Sequence, residues 1–288
     1  SCAAVRRLGD AALPAVDRAL RAAAFDDAES GSSRRAVRLV RAVGTGSDAA
    51  GALLLRWAGH HDREVGRVVL ERLGRPGPAT PEVATVLDEV LADDLAHAVR
   101  VLAGVAALQR PEGPLATGGA PGIPPPVEGD DPLRRALADE LVLVRDRVLA
   151  GLVARHGHDR LGPVAAGLLA TDGPGALAVE ALEVVLGTAA AARVTPVLDT
   201  RDAVEVRLAR LLAATRSPAP ARDVEVVLAD LVEDPEGTWR SPWVRACAVR
   251  AACDREVASG LDLVPARALG DPMVDEELDR IPWEDQQA

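Results

Sequence analysis

The chain has 288 residues, 48% of them hydrophobic but only 2% aromatic, with no Tyr, one Phe and a formal net charge of −11. That length fits one large domain, two small ones or a repeat array, and the shortage of aromatics suits helices that touch through small side chains better than one bulky globular core. The acidic balance disfavours nucleic acid as a partner, because nucleic acid needs a clustered basic face, and there is no run of about 18 apolar residues to span a bilayer.

In chain order, the opening SCAAVRRLGD reads as the end of a helix. It has no initiating Met and no secretory leader, so the chain is expected to be an excised piece of a longer protein. A first helix pair is expected near 10–43. Its second member carries Ala36, Leu39, Val40 and Val43 on one face and is stopped by Gly44. Arg34, Arg35, Arg38 and Arg41 crowd this segment as a solvated helix face. A second pair, near 47–73, shows Ala50, Leu53, Leu54 and Trp57, then Val65, Val69 and Leu73 closed by Gly74. Asp62 reads as an N-cap there, with His60 and His61 as surface residues. A third pair is expected near 80–108, with Ala98, Val101, Leu102 and Val105 following Asp94.

Residues 110–131 are rich in Pro and Gly, with a triple proline at 124–126, and read as a surface linker between two sub-arrays, 1–109 and 132–288. A long helix at 132–156 is opened by Asp131 and Pro132 and stopped by Gly157. Pairs follow near 159–186 (Ala178, Ala181, Leu182, Val185), 189–214 and 220–253 (Val224, Val227, Leu228, Leu231). The last ends in SPWVRACAVRAA, where Ser241 caps, Pro242 opens the helix, and Val244, Cys247, Ala248 and Ala251 share one face with Arg245 and Arg250 outside it. A less regular tail follows Gly260.

Equivalent second-helix positions are 29 residues apart from Ala36 to Val65, 33 from Val65 to Ala98, and 66 from Ala178 to Val244. A period of about 30–40 residues with two helices per unit predicts an all-α fold, an α-α superhelix of about six to eight helix pairs. Alanine and cysteine on the inner helices allow close backbone approach, and leucines on the paired helices fill the remainder. No stretch alternates with period two, so no sheet is expected, and the array is expected to be elongated.

The residues also resemble HEAT repeats. SPWVRACAVRAA at 241–252 is similar to the second-helix phrase WhRxCAhxA (h, an apolar residue) of HEAT-repeat domains attached to ATP/ADP-translocase-like transporters of the major facilitator type. HHDREVGRVVLERLG at 60–74, LRRALADELVLVRDRVLAGL at 133–152, and ALAVEALEVVLG with VTPVLD at 176–199 agree with the same pattern. The resemblance implies a cytosolic helical appendage to a membrane-embedded portion that lies outside this chain. It carries over no catalytic residue.

No catalytic, cofactor or metal set is expected. His156, His158 and Asp159 lie within four residues but lack a fourth donor at a recognised spacing. GTGSDAAG at 44–51 lacks the lysine of a phosphate loop. Cys2, Cys247 and Cys253 cannot form a disulfide framework, which favours a reducing cytosol, and Cys247 belongs to the packing stripe. The candidate binding residues are Trp239 and Trp243, which flank a turn, Arg245 beside them, and Arg34 and Arg38 in the arginine cluster. The expected function is a non-enzymatic protein-interaction scaffold or regulatory domain, and the acidic balance points to a partner with basic residues. A cytosolic ligand-sensing domain of a transporter is the alternative. A nucleic-acid-binding HEAT-like enzyme is a more distant one, because it would need a basic concave face.

Overall fold

The computed structural model describes residues 2–25, 30–74, 77–109, 131–169, 175–221, 223–235, 237–239, 241–255, 257–268 and 270–281. Among them every regular element is helical and no strand occurs. The helices are α1 (Cys2–Leu8), α2 (Leu13–Phe25), α3 (Ser30–Ala42), α4 (Asp48–Arg56), α5 (Arg63–Leu73), α6 (Pro81–Leu108), α7 (Pro132–His156) and α8 (His158–Leu169). They continue with α9 (Gly175–Leu186), α10 (Thr188–Leu198), α11 (Val204–Thr215), α12 (Val224–Glu233), α13 (Pro242–Asp254), α14 (Val264–Arg267) and α15 (Pro272–Leu278). Short polar side chains start several of them by accepting a free backbone N–H of the first turn. Asp62 takes Val65 N at 3.0 Å, Asp131 takes Leu133 N at 3.0 Å, and Ser241 takes Val244 N at 3.4 Å.

The chain divides into two compact units. The first comprises Ser1–Val99 with Val142–Ala219, and the second Arg100–Leu141 with Pro220–Ala288. Both units draw on sequence from either side of the Pro/Gly-rich segment, whereas the sequence reading kept 1–109 and 132–288 as separate sub-arrays. Residues 110–130 of that segment lie outside the described residues.

In the first unit α2 packs on α3 and α4 on α5, and the two pairs stack so that α2 meets α4 and α3 meets α5. The stripes expected from sequence supply the core: Ala36, Val40, Leu54, Val65 and Val69 are buried beside Val16 and Leu20, with Ala150 and Ala154 of α7 closing the cluster. Further along, α8 packs on α9, α9 on α10 and α10 on α11. Arg207 of α11 is buried and donates from Nε to Pro196 O (2.8 Å) and from Nη2 to Val197 O (3.1 Å). A cation thereby satisfies carbonyls at the C-terminal end of α10, where the helix dipole favours it.

In the second unit the stacking contacts repeat: α12 packs on α13 and α14 on α15, while α12 meets α14 and α13 meets α15. The stretch after Gly260, expected to be irregular, thus provides a further short helix pair. Helix α13 buries Val244, Arg245, Ala246, Cys247, Ala248, Val249, Ala251 and Ala252. It is enclosed on most sides instead of along one stripe, and this is why alanines stand where leucines would overpack.

One expected pair is absent. Residues 81–108 form a single helix of 28 residues. Asp93 and Asp94 resemble a cap in the sequence, but no Gly or Pro interrupts Glu82–Leu102, and the Asp94 carboxylate is engaged by arginines rather than by the backbone of its own helix.

Candidate binding surfaces

In the second unit the turn from α12 to α13 is organised by Asp234. Its backbone takes the left-handed conformation (φ 42°) that ends α12. Its Oδ1 accepts Thr238 N at 2.6 Å, and its Oδ2 accepts Trp239 N at 3.1 Å and the Nη2 of Arg245. Arg245 is buried, and its Nη1 also donates to Pro265 O at 3.2 Å. Sequence reasoning placed Arg245 outside the packing face. The structure instead draws it inward as the counter-ion of a turn carboxylate eleven residues earlier.

Of the two tryptophans flanking this turn, Trp239 is buried and donates its indole N–H to Asp230 Oδ2 at 2.9 Å. Trp243 is 44% exposed in the first turn of α13. The candidate residues of this unit therefore separate into a buried pair that shapes the turn, Trp239 with Arg245, and one aromatic presented to solvent. Behind Trp243 the helix is buried on most sides, and a packed support is what an anchor side chain requires.

In the first unit Arg34 and Arg38 lie on the exposed face of α3, along with Arg35 and Arg41, while Ala36, Val37 and Val40 of the same helix are buried. The expectation of a solvated basic face agrees with this placement.

The most heavily engaged charged group of the first unit was not singled out from sequence. Arg147, in α7, is buried at 3% exposure and donates from Nε to both oxygens of Asp94 (2.7 and 2.8 Å), from Nη1 to His60 O (2.9 Å) and from Nη2 to Ala58 O (3.2 Å). Arg63 adds a bond to Asp94 Oδ1 at 3.1 Å. Burial pushes the Asp94 carboxyl above its ordinary range, and the guanidinia of Arg147 and Arg63 pull against that push. Protein partners engage these groups, and the network fastens α6 and α7 to the α4–α5 turn.

Gly66 makes room for it. A Cβ at this position would lie 1.9 Å from Arg147 Nη1 and 3.1 Å from His60 O. Gly66→Ala is expected to destabilise the first unit by at least the ~1–3 kcal/mol of core overpacking. The loss should shrink when Arg147 is also truncated, and denaturant titration of the single and double variants measures this.

Comparison with family models, curated proteins and solved structures returns no match.

His60, expected at the surface, is buried: its Nδ1 accepts Asp62 N at 3.0 Å and its Nε2 lies 3.2 Å from Leu20 O. The ring is neutral with the proton on Nε2, since Nδ1 is the acceptor. It stacks on His61 with ring centroids 4.7 Å apart. Burial lowers the affinity of both His60 and His156 for a proton. Folded-state values below the ordinary 6.5 mean that the stabilising contribution is complete above that pH and is lost as pH falls through it, because the unfolded chain then binds protons that the folded chain refuses. Denaturation midpoints are expected to fall between pH 7.5 and 5.5, and His60→Gln with His156→Gln should flatten that fall. Asp17, lowered chiefly by the Trp57 indole N–H at 2.8 Å, and Asp199, lowered chiefly by Arg201, contribute losses only at more acid pH.

The Cys247 thiol is buried and pushed up to about 11 by desolvation, which leaves it protonated and a poor nucleophile. Among the described residues no group of three or more His, Cys, Asp or Glu is placed to hold a metal ion, and no helix is long and apolar enough to cross a membrane.

Proposed function

We propose that the chain is a HEAT-like α-solenoid that works as a non-enzymatic protein-interaction scaffold or regulatory domain. The observation that carries this reading is the recurrent stacking contact. One set of four helices in each unit shows it, α2 with α4 and α3 with α5, α12 with α14 and α13 with α15, while α8 to α11 pack in sequence. That nearest-neighbour pattern is how repeat arrays bury faces that a lone helix pair leaves exposed, and it builds extended surfaces for partners. Several buried charges, Arg147, Arg207 and Asp234, bond helix turns and helix ends, which supports a structural use of these groups. On the family resemblance, the partner is the membrane-embedded portion of the same protein, and the chain is its cytosolic domain.

Trp243 is the residue through which to test this. A photo-crosslinking amino acid in its place, in the full-length protein inside its own cells, should give discrete adducts on irradiation. Excess unlabelled chain should compete away adducts to a separate protein, while adducts within the same polypeptide should persist. Loss of all adducts at this position in a folded protein would count against a scaffold that engages partners through α13.

A further inference from the structure

We propose that His60 is a proton-sensitive latch between α2 and the α4–α5 turn, so that mild acid promotes detachment of α2 within the first unit. The inference goes beyond the scaffold reading and does not depend on it. His60 is 4% exposed, and its ring bridges two elements. Its Nε2–H donates to Leu20 O of α2 across 3.2 Å, and its Nδ1 accepts the backbone N–H of Asp62 across 3.0 Å. The Asp62 side chain in turn caps α5 by accepting Val65 N at 3.0 Å. One imidazole therefore joins α2 to the residue that starts α5.

The neutral ring suits this position and the protonated ring does not. An imidazolium has two N–H donors and no acceptor, so at Nδ1 two N–H groups would face each other across the same 3.0 Å. A buried donor left without an acceptor is costly, and a buried charge more so. The ring's flat neighbours are His61, with centroids 4.7 Å apart, and Trp57, at 5.5 Å. The charges around it oppose each other. Asp62 favours a proton on the ring, while Arg147, whose Nη1 donates to His60 O at 2.9 Å, disfavours one. Farther out, Asp94 of α6 is held by Arg147 and by Arg63 of α5, and Asp17 of α2 by Trp57, Arg21 and Arg56. The carboxylates on every side are thus committed to other donors.

The α4–α5 hairpin also holds α2 at Asp17, through the Trp57 indole N–H at 2.8 Å and through Arg56 at 3.6 Å. The Trp57 bond chiefly keeps the Asp17 carboxyl below its ordinary range, so this link stays charged in mild acid. The His60 link is the one that acid removes first. Helix α2 belongs to the N-terminal helices of the chain, and local opening is cheapest near chain ends. Linkage sets the size of the effect. A ring that takes up a proton only when the latch is open, with the ordinary affinity near 6.5, raises the opening equilibrium about tenfold between pH 7.5 and 5.5.

Hydrogen exchange of the full chain, corrected for the intrinsic rate at each pH, tests this. Between pH 7.5 and 5.5 the amides of α2 and of the α4–α5 turn should lose about tenfold in protection, while those of α10 and α11 in the same unit should hold. His60→Gln can offer an oxygen to Asp62 N and an N–H to Leu20 O without titrating, so α2 in this variant should be equally protected at both pH values. His61→Gln and His156→Gln should leave the response of α2 in place. Should His60→Gln fail to fold, the imidazole nitrogen shifts of the parent serve instead: His60 should be the Nε2–H tautomer at pH 7.5, and α2 should lose protection along the same titration curve. The proposal is overturned by α2 protection that is unchanged at pH 5.5, by a loss as large in α10 and α11, by a loss that persists in His60→Gln, or by a ring that titrates while α2 stays protected. None of these results bears on crosslinking from Trp243, so the scaffold reading stands or falls separately.

Discussion

Replacing Arg147 with methionine is expected to cost about 3–5 kcal/mol, the range for breaking a buried ion pair by removing one partner. The reason lies in what is left behind. Asp94 would remain buried, with only Arg63 beside it, and the carbonyls of Ala58 and His60 would each lose a charged donor. At a few degrees per kcal/mol for a chain of this size, the thermal midpoint should drop by on the order of 10 °C. The double variant Asp94→Leu/Arg147→Met removes both charges together and should be more stable than Arg147→Met alone, since an apolar pair avoids the desolvation penalty. It should still fall short of the parent because the two carbonyls stay unserved. A double-mutant cycle followed by urea denaturation measures the coupling. Equal losses in the single and double variants would show that Arg147 matters for its bulk and not for its charge.

Asp234→Ala should have a comparable effect in the second unit, at about 3–5 kcal/mol. Three losses coincide at one residue. The buried Arg245 would lose its counter-ion and keep only Pro265 O. The N–H groups of Thr238 and Trp239 would lose their acceptor. Alanine would also have to hold the left-handed backbone at φ 42°, which costs it roughly 1–2 kcal/mol. Asp234→Asn tolerates that backbone and keeps one acceptor oxygen but no charge, so it should fall between the parent and the alanine variant. Thermal melts of the three proteins check this order, and an asparagine variant as damaged as the alanine one would place the penalty on the charge alone.

What the sequence made legible was the helical periodicity, because a stripe is a local property. The spacing of Ala36, Val40 and Val43, or of Ala98, Val101, Leu102 and Val105, shows which face of a helix meets the core. Capping at Asp62, Asp131 and Ser241 was legible for the same reason. The misreadings concern partners remote in the chain. Asp94 sits at a point where an acidic pair suggests a new helix, and only Arg147, 53 residues later, explains why it belongs inside a continuous one. His60 looked like a surface residue because its acceptor, Leu20 O, is 40 residues earlier. Arg245 was read from its place on a helical wheel, which holds no information about Asp234 or about α14 and α15 closing over α13. The exposure of Trp243 and the burial of Trp239 follow equally from tertiary packing, since both are aromatics beside one turn. The arginine face of α3 was visible at once, because the absence of any acidic neighbour within that helix is written in the sequence itself.

The notch at Gly66 and the guanidinium that fills it constrain how this protein can change. A larger residue at 66 is barred while Arg147 points into that space, and a shorter one at 147 strands Asp94. Divergent copies should therefore keep Gly66, Asp94 and Arg147 as a set or change them as a set.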